Sequence, residues 1–221
     1  MRNLIIVAGH AIVQDLERVW QDAGWYLLDF QRGEPERYIG HIRRAVEEAA
    51  ADPNALLIFS GGPTRKEAGP RSEALSYWQV AEHFNWFGHA SVRDRAYLED
   101  FARDSFENLL FGICRHREIA GQLPDQVTLV SWEFKRARFE DFHREAIAWP
   151  RERFRYVGAN DPERIDQALE SEQRARAKYS ADPYSLGEEF RAKKLERNPF
   201  RRQHGYAVSC PEMFTEDKPW R

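Results

Sequence analysis

Three short stretches carry small, hydroxylated or charged residues just after apolar runs, and these are the residues best suited to chemistry. The run at 55–60 leads into Gly61-Gly62-Pro63-Thr64-Arg65 and then Arg71-Ser72-Glu73-Ala74. Tyr97-Leu98-Glu99 leads into Asp104-Ser105-Phe106-Glu107-Asn108, and the run at 127–131 leads into Lys135-Arg136-Ala137-Arg138. Glycine has no Cβ and tolerates positive φ, so a Gly-Gly pair lets backbone approach a ligand closely. Successive amides in such a turn can also cradle an anion. Ser60, Gly61, Gly62, Thr64 and Arg65 are therefore read as part of a binding site, with Ser72 and Glu73 beside them. An ordinary strand-to-loop turn is the plain alternative. The run matches neither G-x-G-x-x-G nor a Walker A loop, so neither NAD nor ATP is specifically indicated.

Glu99 ends an apolar run and is expected to point into the same crevice, where it could contact a ribose hydroxyl, hold a metal or act as a base. A carboxyl buried near another carboxylate has a raised pKa, which suits acid/base work, and Glu73 is a catalytic candidate for the same roles. Asp104 followed by Glu107 has the spacing of a helix cap reciprocated from the third helical position, so a structural role for Asp104 weighs as much as a functional one. Lys135, Arg136 and Arg138 open a helical pattern with positive charge, against the helix dipole. That arrangement suits an anion bound at this end, with Lys135 also a catalytic candidate. Ser131 could cap or bind, and Gly9-His10 follows the first apolar run into the crevice. No histidine pair has zinc spacing, and no G-x-S-x-G elbow is present. Magnesium or manganese at Glu99 or Asp104 stays open.

The elements that must position these residues alternate along the chain. Runs at 4–8, 55–59, 96–98, 127–130 and 154–157 read as strands, the first of them continuously apolar and β-branched, as expected for a strand covered on both faces. Helical patterns follow Glu34-Pro35, Ser72 and Asp104, and another spans 135–149. Alternation of this kind implies an α/β fold with a mainly parallel five-stranded sheet and helices on both faces. The ligand crevice of such a sheet lies at the strands' carboxyl ends, where the three stretches would meet. Residues 1–160 form this domain. Residues 161–221 read as a helical and irregular, aromatic C-terminal extension packed on the core, opened by Asp161-Pro162-Glu163 as a helix start.

The whole chain, 221 residues with a net charge of -3, is large enough for this single domain plus its appendage. Its slight acidity argues against a general nucleic-acid binder. Cys114 lies in an apolar helical stretch, and with Cys210 it makes neither a disulfide framework nor a zinc site, so a reducing, cytoplasmic location is expected. The apolar run near the amino terminus is too short to span a bilayer.

Taken jointly, Gly9, Ser60-Gly61-Gly62, Ser72-Glu73-Ala74, Glu99, Asp104 to Asn108, Ser131 and Arg138 resemble the YdcF/SanA/ElyC-like family of domains of unknown function, over residues 4–158. The chain departs from that pattern at Lys135, where many members carry histidine. The resemblance implies a Rossmann-like three-layer α/β/α sandwich. It also brings S-adenosylmethionine into view, since one member type is reported to bind it. The expected function is binding of a small anionic molecule, phosphorylated or nucleotide-like. If the protein is an enzyme, the expected reaction is transfer or hydrolysis at a phosphate ester or anhydride. S-adenosylmethionine binding and a non-catalytic interaction through the aromatic tail are the alternatives.

Overall fold

The computed structural model describes residues 1–220. The five expected strands form one sheet. β1 (Asn3–Ala8) is followed by a short antiparallel pair, β2 (Ile12–Val13) and β3 (Trp25–Tyr26), then by β4 (Ala55–Ser60), β5 (Ala96–Glu99), β6 (Gln126–Ser131) and β7 (Phe154–Gly158). The main sheet has the order β5-β4-β1-β6-β7, and every neighbouring pair is parallel. With helices on both faces this is a Rossmann-like three-layer α/β fold. The chain moves outward from β1 through β4 to β5, then crosses back to β6. The switch point therefore lies between the carboxyl ends of β1 and β6. The β2–β3 pair was not foreseen, because two residues per strand leave no period to read.

Side chains alternate across the strands. Ile5, Val7, Leu57 and Phe59 pack beneath α1 (Pro35–Ala51) and α2 (Glu73–His83), while Leu4, Ile6, Ile58 and Leu129 pack beneath α3 (Ser105–Ala120). Proline occupies the first position of α1, where its missing N–H costs nothing. Ser72 caps α2, its hydroxyl accepting from the Leu75 amide at 2.9 Å. Asp104 caps α3, accepting from the Glu107 amide at 2.9 Å. The reciprocal contact is displaced by one residue: Glu107 accepts from the Arg103 amide at 2.9 Å rather than from that of Asp104.

The segment at 135–149 departs from the regular helix expected of it. A 3-10 turn at Glu133–Lys135 gives way to a π-helical stretch, Arg138–His143, and then to a single α turn, α4 (Arg144–Ala146). Lys135 thus lies in the first turn of an irregular helix that runs without a break from Glu133 to Ala146.

Beyond β7 lie α5 (Ile165–Ala181), α6 (Glu188–Glu196) and α7 (Tyr206–Ser209). α5 starts later than Asp161-Pro162-Glu163 suggests. Arg37 donates to the Asp161 carbonyl at 2.8 Å, and the Glu163 amide donates to Glu34 at 3.1 Å, so these residues are held against the start of α1 and turn before α5 begins. The tail packs on α3, with Tyr206, Cys210, Met213 and Phe214 all buried in the same core cluster. Burying a large apolar side chain contributes about 1.5–3 kcal/mol, so losing Tyr206, Met213 and Phe214 approaches a typical total stability of about 5–15 kcal/mol. A chain ending at Arg197 is expected to lose its cooperative thermal transition, followed by circular dichroism. A melt within a few degrees of full length would refute this. Among the described residues no helix is long and apolar enough to cross a membrane.

Candidate functional site

Strand register brings the separated stretches to one edge. Ala8 pairs with Ser60, Ser60 with Glu99, and Ser131 with Gly158, all at the carboxyl ends. A cavity of about 600 Å³ opens there, lined by Gly9 and His10 after β1, Arg65 after β4, and Ser131 and Lys135 after β6. Glu172 of α5, Lys193 of α6 and Arg197 just after α6 line it from the C-terminal segment.

Glu73, Asp104, Ser105, Asn108 and Arg138 also line the cavity. Ser60, Gly61, Gly62, Thr64, Ser72, Glu99 and Glu107 do not, and form the layer behind it. The glycine amides are engaged within the protein: Gly61 donates to the Glu99 carbonyl at 3.0 Å and Gly62 to the Ala102 carbonyl at 2.7 Å. Gly9 and Gly61 serve to seat Glu73, whereas a Cβ on Gly62 would sit 3.0 Å from the Ala102 carbonyl. A Cβ on Gly9 would sit 2.6 Å from the Glu73 Cβ, and one on Gly61, whose φ is +152°, 2.8 Å from its carboxylate. Thr64 Oγ1 donates to the Glu73 carboxylate at 2.5 Å. Ser72, besides capping α2, donates to Asp100.

Glu99 is fully buried and faces α3 rather than the crevice, because its place on β5 puts it on the same face as Ser60. Its carboxylate accepts from Ser60 Oγ at 2.8 Å and from the Phe101 amide at 2.8 Å, and Tyr206 OH stands 3.3 Å away. Burial pushes its pKa up to about 7, against the Ser60 hydrogen bond. Ser60 Oγ also lies 2.9 Å from the Asn108 side-chain amide. Glu99 therefore reaches the cavity only through Ser60 and Asn108.

Eight basic side chains line the cavity against five acidic ones, in a chain whose net charge is -3. Several are already paired. Arg138 forks onto Glu172, which is itself buried on α5. Arg103 pairs with Glu107 at 2.6 Å. Asp104 faces Lys194 of α6 at 3.5 Å, and Lys194 is 3.1 Å from Glu107. Burial alone would raise the Asp104 pKa, but Lys194 and the Glu107 amide hold it below the usual carboxylate range. Arg136 turns out of the cavity, to Glu133 at 2.6 Å and Glu140 at 3.3 Å.

Of the eight, only Arg103, Arg138 and Arg174 take part in an ion pair among the described residues. Of the other five, Arg164, Lys193 and Arg197 belong to the C-terminal segment, while Arg65 and Lys135 follow strands of the sheet. Arg65 is 8% exposed, and its guanidinium reaches only the Thr64 carbonyl at 3.2 Å, Thr64 Oγ1 at 3.4 Å and Gln31 Oε1 at 3.4 Å. Its Nε is buried without a hydrogen bond. Among the described residues neither Arg65 nor the Lys135 ammonium takes part in an ion pair. Burial, then the Arg138 charge, bring the Lys135 pKa down to about 7, with Arg197 and Lys193 acting in the same sense and Glu172 against it.

Between these cations stands His10, its Nε2 3.3 Å from Ser131 Oγ and its ring 5.7 Å from that of Trp132. Burial, and then Lys135, hold it well below the ordinary histidine pKa, so it is neutral at pH 7. Ser105 Oγ stands 2.8 Å from Nε2 of buried His143 and 3.5 Å from Arg138.

Sequence reasoning missed Gln31, Glu34, Arg103, Glu172, Lys193 and Arg197, all of which line the cavity. The basic character of 190–198 was the one available signal for the last two. Glu34 reads from sequence only as a helix start, yet it is 4% exposed, and one carboxylate oxygen lacks a hydrogen bond. Among the described residues no group of three or more His, Cys, Asp or Glu side chains could hold a metal ion.

Comparison with known proteins places the chain near one distant relative. It is 29% identical, over 205 aligned residues, to a protein of Saccharomyces cerevisiae described as uncharacterized protein YOR238W, the match covering 72% of this chain and 68% of the yeast protein. No family model and no solved structure matches.

Proposed function

We propose that this chain binds a phosphorylated or nucleotide-like small molecule in the cavity at the sheet's carboxyl edge, and acts on it there. What supports the reading above all is Arg65, a buried guanidinium lining the cavity with no carboxylate partner among the described residues. An isolated buried charge costs several kcal/mol, and an anionic ligand would offset that cost. Lys135 supplies a second unpaired charge from the far side of β1. Glu34, Glu73 and Asn108 offer acceptors and an amide to hydroxyl groups of the same ligand. Phosphoryl transfer or hydrolysis here would draw its divalent ion in with the ligand's own phosphates. The YdcF-like resemblance belongs to the same proposal, as does a reducing, cytoplasmic setting, in keeping with two buried free cysteines.

S-adenosylmethionine is the second reading, resting on the family resemblance. The excess of basic side chains around the cavity weighs against it, because the sulfonium is itself positive.

A thermal-shift screen separates the two. The panel is ADP, ATP, sugar phosphates, S-adenosylmethionine and S-adenosylhomocysteine, each with and without magnesium or manganese. A phosphorylated ligand at a hundred times its Kd stabilises by about 2.7 kcal/mol, which in a chain of this length raises Tm by roughly 5–10 °C. A shift with S-adenosylmethionine alone would transfer the proposal to the second reading, and no shift from any phosphorylated compound would refute the first. Binding should also weaken as pH rises through about 7, where Lys135 loses its charge. A sulfate ester is the cleaner probe of that effect, because its own charge is constant across the range.

A further inference from the structure

We infer that Lys135 is a nucleophilic amine that forms an imine with a phosphorylated aldehyde or ketone held in this cavity, an inference that rests on the anion-binding reading above. Three placements carry it. The Lys135 side chain lines the cavity. Nearby carboxylates are committed elsewhere: Glu172 to Arg138, Glu133 to Arg136, Glu107 to Arg103, and Glu73 to the Thr64 hydroxyl. Arg65 and Arg197, neither of them in an ion pair among the described residues, line the same cavity, and a guanidinium stays charged at every accessible pH. A phosphate can therefore be held by arginine while the amine is left free.

An amine attacks a carbonyl only when uncharged, and enzymes make lysines available by desolvation and by neighbouring cations. Both conditions hold at Lys135, where burial, Arg138, Arg197 and Lys193 hold the pKa near 7. A substantial share is then uncharged at neutral pH, against about one in a thousand or fewer for an ordinary lysine. The Nζ lone pair adds to the carbonyl carbon, and the carbonyl π pair moves to oxygen. A proton passes from nitrogen to that oxygen, giving a carbinolamine. The nitrogen lone pair then expels the hydroxyl group, which takes the remaining N–H proton and leaves as water, giving the neutral imine. Nothing is oxidised or reduced. Neutral His10, lining the same cavity, is placed to relay these protons.

The test uses pyridoxal 5′-phosphate, a phosphorylated aldehyde, with cyanoborohydride to reduce any imine, followed by intact mass and peptide mapping. The full chain should give its main adduct on Lys135, formed several times faster than on Lys193, whose pKa burial brings down to about 8, and at least about ten times faster than on any surface lysine, as the lowered pKa requires. Excess glycerol 3-phosphate should block it. The Lys135→Arg variant should lose that adduct while keeping a thermal shift with pyridoxine 5′-phosphate, which lacks the carbonyl. A main adduct on Lys193, labelling spread evenly over the lysines, or no adduct although pyridoxine 5′-phosphate still raises Tm, would each overturn the imine and leave anion binding standing. If no phosphorylated probe shifts Tm, anion binding itself fails and the imine falls with it.

Discussion

Replacing Arg65 with methionine is expected to make the ligand-free protein more stable while abolishing its response to phosphorylated ligands. Arg65 is 92% buried, lines the cavity and has no ion-pair partner among the described residues. Replacing buried charge by an apolar side chain of similar length commonly stabilises by about 1–4 kcal/mol. The bond to the Thr64 carbonyl at 3.2 Å is lost in the exchange, which places the net gain near the lower end. In a chain of this size about 1 kcal/mol corresponds to roughly 2–4 °C in Tm. The pair of readouts is the point of the experiment. A residue kept for structure would lower Tm when removed, whereas one kept for a ligand raises it and loses the ligand-induced shift. Tm reduced by several degrees in Arg65→Met, with ligand response intact, would remove the main support for the proposed site.

Mild acid is expected to unfold the protein more steeply than its carboxylates alone would allow. Burial holds His10, His41 and His143 below the ordinary histidine pKa, His41 at about 3. The unfolded chain takes up their protons near pH 6.5 while the fold does not, so stability is complete above that pH and is lost as pH falls. Each such group contributes about 1.4 kcal/mol per pH unit, so three contribute at most about 4. Glu99 acts in the opposite sense. Its pKa, raised to about 7, makes the fold hold a proton that the unfolded chain releases above about 4.3, so acidification across that window returns about 1.4 kcal/mol per pH unit. The net slope of these four groups is at most about 3 kcal/mol per pH unit, enough to exhaust a typical stability of about 5–15 kcal/mol within a few pH units below 6.5, and His116 and His204, also held low by burial, act in the same sense. Urea titrations at pH 7.0, 6.0 and 5.0 would measure it. Stability unchanged between pH 6.5 and 5 would refute the assignment of neutral buried histidines. His143→Gln should take about 1.4 kcal/mol per pH unit off that slope.

Much of the architecture was legible because strand and helix burial is local and periodic. The runs at 4–8 and 55–59 are apolar at every position because both sheet faces are covered, and each run can be found without knowing the other. Ser72 and Asp104 announce α2 and α3 because a capping hydroxyl or carboxylate acts within three residues of itself. Once the strands are parallel, the crevice at their carboxyl ends follows from topology. The π-helical stretch at Arg138–His143 escaped the same reading, since its apolar spacing resembles that of an α-helix over so few residues.

The sequence by itself determined the α/β layering and the edge of the sheet where these residues gather. Tertiary structure alone decided which of them face the cavity and which are already neutralised. Glu99 is turned away by the face of β5 on which it falls and by the α3 and tail residues that cover it. Arg138 is answered by Glu172, 34 positions on, and Asp104 faces Lys194 across an even longer interval. Arg65, with the same formal charge as Arg138, is answered by no carboxylate at all. The physical reason is that burial patterns arise from neighbours in the chain. The charge state and pairing of a group depend instead on which side chains, from any distance along the chain, share its low-dielectric surroundings.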